Sequence, residues 1–125
     1  MTENEIAAII VDAAYTIHKR LGPGLLESVY ETTLTYELEK RGVRPRRQQA
    51  MPVVYESVRM DIGFRADLIV ADKVIVEIKS VEAVSPVHRK QLLTYLRLTD
   101  KRLGLLTNFN VELIRDGIVR VVNNL

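Results

Sequence analysis

The chain has no cysteine and no tryptophan, only two histidines, and aromatic residues make up just 6% of its 125 positions. Without cysteine there is no disulfide, no thiol nucleophile and no thiolate-held zinc or iron-sulfur centre. His18 and His88 cannot build a histidine-rich metal site on their own. Long apolar runs are also missing. The longest near the start is IAAIIV, far short of the roughly 20 residues that span a bilayer. No basic segment, apolar stretch and small-residue cleavage site follow one another there, so the expectation is a cytoplasmic protein with no membrane partner. Neither sign of charge dominates: 18 basic against 16 acidic side chains leave +2, so a nucleic-acid partner would have to be met by a local cluster. What is present is the balance of a folding chain, 47% apolar and 27% charged, at a length expected to form one domain over residues 1–125.

Thr2 followed by Glu5 is a capping-box pattern, and Ile6, Ile9, Ile10, Ala13, Ile17 and Leu21 recur at helical spacing, which predicts a helix over 3–21 that LGPG stops. Leu26, Tyr30, Leu34 and Leu38 predict a second over about 26–41, with Gly42 at its C-terminal cap. The stretch MPVVYESVRMDIGFRADLIVADKVIVEIK reads as three antiparallel strands broken near Glu56 and at 71–73. Ser85-Pro86 opens a helix reaching about Thr99, and LGLLTNF and the residues around Asp116-Gly117 close the chain as short strands. The order is ααβββαβ(β), an α/β (α+β) fold with a mixed sheet flanked by helices.

Within VIVEIK, Glu77 and Lys79 point to one side of the strand while Val76 and Ile78 point to the other. Taken alone, such charges are as well explained by a solvated sheet face. In the preceding strand Met60, Ile62, Phe64, Ala66, Leu68 and Val70 are expected on one face, with Asp61, Gly63, Arg65 and Asp67 on the other. A loop of Ala71 to Lys73 sets Val70 opposite Val74, and counting back puts Asp67 opposite Glu77 and Arg65 opposite Lys79. Like charges directly opposite destabilise a sheet, so a hard divalent cation between the carboxylates is the expectation, and Mg²⁺, with Mn²⁺ as a substitute, fits oxygen ligands of this kind.

Asp67, nine residues, then Glu77-Ile78-Lys79 resembles the core motif of the PD-(D/E)xK nuclease superfamily, with Ala66 where a proline often precedes the aspartate. GLLESVY, with Gly24, Glu27 and Tyr30 in register, resembles the signature of the GxxExxY protein family, a small-domain branch of that superfamily. The resemblance runs through RADLIV, VIVEIKSV, QLLTYL and GLLTNF, with NFN in place of NFG at 108–110. It implies a PD-(D/E)xK nuclease-like αβββαβ core and hydrolysis of phosphodiester bonds in nucleic acid, DNA before RNA. It also implies a catalytic set of Asp67, Glu77 and Lys79, with Glu27 as third carboxylate of the metal shell. In such a site the ion would lower the pKa of a bound water, while Lys79 orients that water or stabilises the developing charge.

The remaining candidates have two readings each. Glu27 without the resemblance is an ordinary first-turn glutamate that complements the helix dipole, and Tyr30 is a packed aromatic or a site residue. Gln91 and Tyr95 form Q-x-x-x-Y, which resembles the accessory motif of RecB-type nucleases, and share a helix face with His88; the alternative is a tyrosine bordering the core. His18 near a helix end reads as a capping or packing group. Arg65, the RPRR cluster at 44–47, Arg89 with Lys90, and Lys101 with Arg102 are either solvated surface or contacts to a phosphate backbone. LGPG lacks the Lys-Ser or Lys-Thr of a phosphate-binding loop. A catalytically inactive nucleic-acid- or partner-binding domain, or a subunit acting inside a homo-oligomer or larger assembly, is the alternative to an autonomous enzyme.

Overall fold

A computed structural model describes residues 1–125. Helix α1 (Glu3–Leu21) starts at the capping box seen in the sequence: the Thr2 hydroxyl accepts from the Glu5 N–H at 3.2 Å and the Glu5 carboxylate from the Thr2 N–H at 3.0 Å. Helix α2 (Glu27–Lys40) lies against α1, tied to it by Arg41, whose guanidinium reaches Glu37 at 2.6 Å and Asp12 and Thr16 at 3.0 Å. That guanidinium also holds the Glu37 carboxyl below its ordinary pKa.

Strands β1 (Pro45–Tyr55), β2 (Val58–Val70) and β3 (Val74–Lys79) follow, then helix α3 (Pro86–Thr99), β4 (Leu103–Asn108), a short 3-10 turn at Ile114–Asp116 and β5 (Ile118–Val122). The sheet order is β1-β2-β3-β4-β5, parallel between β3 and β4 and antiparallel elsewhere. The parallel pair is what α3 makes possible, since parallel neighbours need a crossover connection. Strand β1 starts earlier than MPVVY, because Pro45 already pairs with Val70; proline is tolerated as the first residue of an edge strand. Arg46 and Arg47 are therefore strand residues.

The sheet has two covered faces. Leu68, Val70, Val74, Val76, Ile78, Leu103 and Leu105 pack with the apolar stripes of α1 and α2, and Ile69, Ile75 and Leu106 pack with Leu92 and Leu96 of α3. Leu92 sits directly on Gly104, where a Cβ would come within 2.8 Å of its side chain, so the glycine sets how closely α3 approaches.

The expected alternation along β2 fails twice, first across Asp61–Gly63, which lie opposite Pro52 alone where the β1–β2 register shifts, and again nearer β3. Phe64 and Ala66 pack on the α3 side, whereas Leu68 and Val70 pack on the opposite side with α1 and α2. The switch falls at Asp67. Opposite it, Gln48 has a left-handed backbone (φ 49°), and the β1–β2 ladder passes from Arg47↔Leu68 to Gln49↔Ala66 without a Gln48–Asp67 pair. A left-handed residue inside a strand kinks the pair and turns the following side chains over. Arg65 consequently lies on the other face from Phe64 and Ala66 and does not share a face with Asp67.

Candidate active site

The register between β2 and β3 is the one expected, with Val70↔Val74, Ile69↔Ile75 and Leu68↔Val76 paired, but the ladder ends there. Beyond it the strands part, and side chains replace backbone bonds. Asp67 Oδ2 accepts from the Ile78 N–H at 2.8 Å, and Glu77 Oε1 accepts from the Asp67 N–H at 3.4 Å. The two carboxylates therefore face one another in the opening of the sheet. The pairing of Arg65 with Lys79 is not formed: Arg65 is exposed and its guanidinium is 3.4 Å from the Gln48 carbonyl.

Glu77 is only 6% exposed and forms no salt bridge. Burial first, and then the charge of Asp67, push its carboxyl from 4.5 up to about 8, while Lys79 pulls weakly the other way. Lys79, half-buried at the end of β3, is in no ion pair, and its carbonyl accepts from the Phe109 N–H at 3.0 Å. The reading of Glu77 as part of a solvated sheet face is thus not what the fold builds. Asn108, paired with Lys79 in the parallel ladder, is buried and holds the chain just beyond it: its side-chain oxygen accepts from the Val81 N–H at 3.1 Å and its amide donates to the Val81 carbonyl at 2.9 Å.

Glu27 opens α2 beside this end of β3, where its Oε2 accepts from the Ser80 N–H at 3.2 Å; Ser80 in turn donates to the Leu25 carbonyl at 2.7 Å. Asp67, Glu77 and Glu27 do not close into one ligand set, and no three Asp, Glu or His side chains gather anywhere at metal-binding distance. A different helix acid is connected to Asp67. Glu31, one turn after Glu27, accepts from Gln48 Nε2 at 2.6 Å, and the same amide nitrogen donates to Asp67 Oδ1 at 3.2 Å. Arg47 completes the cluster on Glu31 at 3.0 Å. Glu31, Gln48 and Asn108 are not among the residues that the sequence singles out. For Glu31 the signal is there in the i, i+4 spacing from Glu27, whereas Gln48 depends on a backbone kink that no periodicity announces.

From the α3 side, Tyr95 stacks on Phe64 with ring centroids 3.9 Å apart. Burial, followed by the charges of Glu77 and Asp67, pushes its hydroxyl pKa up. Gln91 is exposed on the preceding turn and makes no hydrogen bond within the chain. His88 is engaged at the helix start, where its Nδ1 lies 3.3 Å from the Ser85 N–H as part of a capping box. Tyr30 is fully buried and stacked on Phe109 at 4.4 Å, and its hydroxyl donates to the Gly22 carbonyl at 2.6 Å. It secures the turn that leads into Glu27. His18 Nε2 lies 2.8 Å from the Val111 carbonyl, away from the carboxylates.

A mixed sheet whose central antiparallel hairpin opens onto two carboxylates and an unpaired lysine is the arrangement that the sequence resemblance implies. The sequence comparison agrees: the model of the PD-(D/E)XK nuclease superfamily matches residues 4–121, and the chain belongs to that superfamily. No curated protein and no solved structure matches it. Proteins of this superfamily generally use divalent metals. The donor set here suits such an ion, because a buried carboxylate facing another carboxylate is stabilised either by a proton or by a hard cation. No helix is long and apolar enough to cross a membrane.

Proposed function

We propose that the chain is a divalent-metal-dependent nuclease of the GxxExxY branch, with Asp67 and Glu77 as metal ligands and Lys79 as the charge-stabilising group. The observation that carries this reading is the unpaired, buried Glu77 facing Asp67, with a lysine free of any ion pair two residues on. Mg²⁺ is the expected ion and Mn²⁺ its substitute, since both take oxygen ligands and leave positions for water and phosphate. When bound, the ion would supply a water of lowered pKa and a Lewis acid for the scissile phosphate.

The chain's own residues do the rest. Glu77 would hold the ion as a carboxylate, its proton passing to solvent, and Asp67, anchored on the Ile78 N–H, keeps its orientation. Lys79 offers its ammonium to the developing charge on the phosphate oxygens. Glu27 holds the Ser80 N–H with Oε2 and keeps Oε1 as a donor for the metal shell. Asp67, Glu77 and Lys79 line none of the surface hollows, of which the largest, about 670 Å³, lies between the end of α1 and residues 112–115. DNA is the first substrate to test, then RNA, and a cytoplasmic location is part of the same reading.

The test is cleavage of single-stranded and duplex DNA and of RNA with Mg²⁺ or Mn²⁺ by wild type and Lys79→Met. The variant keeps much of the stem volume and should retain fold and metal binding while losing about 10²–10³ in kcat, the usual loss for one charge-stabilising donor. A metal-loaded, folded wild type that cleaves none of them would transfer the assignment to a non-catalytic binding domain.

A further inference from the structure

We propose that Gln48 is a positioning residue, which holds the Asp67 carboxylate toward the opening between β2 and β3 for an ion to meet. This rests on the reading of Asp67 as a metal ligand and adds the group that aims it. Gln48 has a left-handed backbone, φ 49°, and is the one strand residue that does; the other positive φ values fall in turns, loops, helix caps and at the C-terminus. Glycine adopts that conformation freely, and asparagine and aspartate tolerate it best among the rest. Glutamine is none of these, so the backbone alone does not account for the residue. Strain of this kind persists where the surroundings hold it in place, and it gathers at functional sites.

What holds it is the reach of the side chain. Consecutive side chains of a regular strand leave on opposite faces, so Arg47 and Gln48 could not both meet one carboxylate. Here they do: Arg47 Nη2 is 3.0 Å from Glu31 Oε2, and Gln48 Nε2 donates to Glu31 Oε1 at 2.6 Å. The same nitrogen reaches Asp67 Oδ1 at 3.2 Å. The left-handed turn of the backbone is thus what places one amide between a carboxylate of α2 and a carboxylate of β2.

The chemistry of the amide decides what this does. Its NH₂ group has two N–H bonds to give, one for each carboxylate, and Glu31 fixes which end of the amide faces Asp67. Asp67 is then held at both oxygens, Oδ1 by Gln48 and Oδ2 by the Ile78 N–H at 2.8 Å. The carboxylate cannot swing, yet each oxygen keeps a further lone pair for an ion. Because the amide is neutral, it orients Asp67 without cancelling its charge, whereas a cation in its place would compete with the ion. Arg47, the nearest candidate for that competition, is engaged by Glu31 and by the Thr32 hydroxyl at 2.9 Å. Glu31 therefore both orients the amide and occupies the arginine.

Two variants, Gln48→Met and Gln48→Gly, test this by amide exchange in the metal-free protein, by melting curves in chelator and by calorimetric titration with Mn²⁺. In metal-free wild type the side-chain amide protons of Gln48 should exchange at least about tenfold more slowly than those of Gln91, which is exposed and makes no hydrogen bond. The Ile78 N–H, whose acceptor is Asp67, should lose about tenfold of its protection in Gln48→Met. Both variants should bind Mn²⁺ about 10–100-fold more weakly, the usual loss when a group that orients a metal ligand is removed. Stability separates positioning from a structural role. Gln48→Met keeps the left-handed penalty and loses the bonds, whereas Gln48→Gly loses both and should melt higher than Gln48→Met. The loss of Mn²⁺ affinity should nonetheless be the same in the two. An affinity that follows melting temperature, kept in Gln48→Gly and lost in Gln48→Met, would make Gln48 a structural residue and overturn the proposal. Gln48 amide protons that exchange as fast as those of Gln91, or an Ile78 N–H unaffected by Gln48→Met, would overturn it too. A wild type that takes up no Mn²⁺ yet shows the protected amide and the Ile78 effect would remove the metal reading of Asp67 and leave its positioning by Gln48 in place.

Discussion

Glu77 is the residue on which the chemistry and the stability of this protein meet. Its carboxyl is raised from 4.5 to about 8 by burial and by Asp67, so in the absence of metal the folded state holds a proton that the unfolded chain releases near pH 4.5. Below that pH both states are protonated and Glu77 costs nothing. Between about 4.5 and about 8 the unfolded state binds fewer protons than the folded one, and stability falls as pH rises. Above about 8 the penalty is complete and constant. Denaturant titrations in chelator should therefore show stability declining across this window, by a total on the order of a few kcal/mol. Glu77→Gln should remove most of the decline and be the more stable protein at pH 8. A wild-type curve as flat as that of the variant would mean that Glu77 is ionised at no cost and that the facing carboxylates do not strain the site.

At the scale of elements, the hairpin between β1 and β2 turns through Glu56 and Ser57, with Tyr55 paired to Val58 and Glu56 left-handed at φ 54°. Two-residue hairpin loops favour glycine at such a position, where a side chain meets the backbone. Glu56→Gly should raise the urea midpoint by the equivalent of roughly 0.5–1 kcal/mol, the left-handed penalty outweighing the added freedom of the unfolded chain. A lower midpoint would show that the Glu56 side chain contributes a contact worth more than the strain. The turn itself was visible in the sequence, as were all three helices, the β2–β3 register and a mixed sheet, because each rests on local periodicity, caps, loop length or element order. The face of β2 before Asp67 was not. Alternation carries a reader from Val70 back to Met60 unless something interrupts it, and here it is interrupted across 61–63 by a register shift opposite Pro52 and at Asp67 by a left-handed glutamine on the neighbouring strand. That one backbone angle moved Arg65 off the face of Asp67 and brought Gln48 and Glu31 to it. Of the residues proposed for the site, Glu77 and Lys79 share a face by strand geometry alone, and Asp67 was placed near Glu77 by the length of the loop between β2 and β3. Tyr30 and His88 were ambiguous because packing and capping use the same residue types as binding.

For the molecule as a whole, the opening between β2 and β3 makes ion binding and folding one equilibrium. An ion that binds only the native arrangement stabilises it by an amount set by concentration over Kd, about 2.7 kcal/mol at a hundredfold excess over Kd. The same ion competes with the proton on Glu77, since a carboxyl must be deprotonated to serve as ligand. Two consequences run in opposite directions with pH. Metal-free protein loses stability from about 4.5 to about 8, whereas the stabilisation added by the ion grows over the upper part of that window, by at most about 1.4 kcal/mol per pH unit. The expected result of melting curves at fixed Mn²⁺ is a shift that is small at pH 6 and large at pH 8.5, so that the metal-loaded protein keeps its stability where the chelated protein loses it. Asp67→Asn removes both a ligand and the charge that raises Glu77, so it should melt at the same temperature with and without Mn²⁺ at either pH. If the variant is stabilised as much as wild type, the ion sits elsewhere on the molecule. A wild-type shift independent of pH would mean that no proton is displaced, and Glu77 would then not be among the ligands.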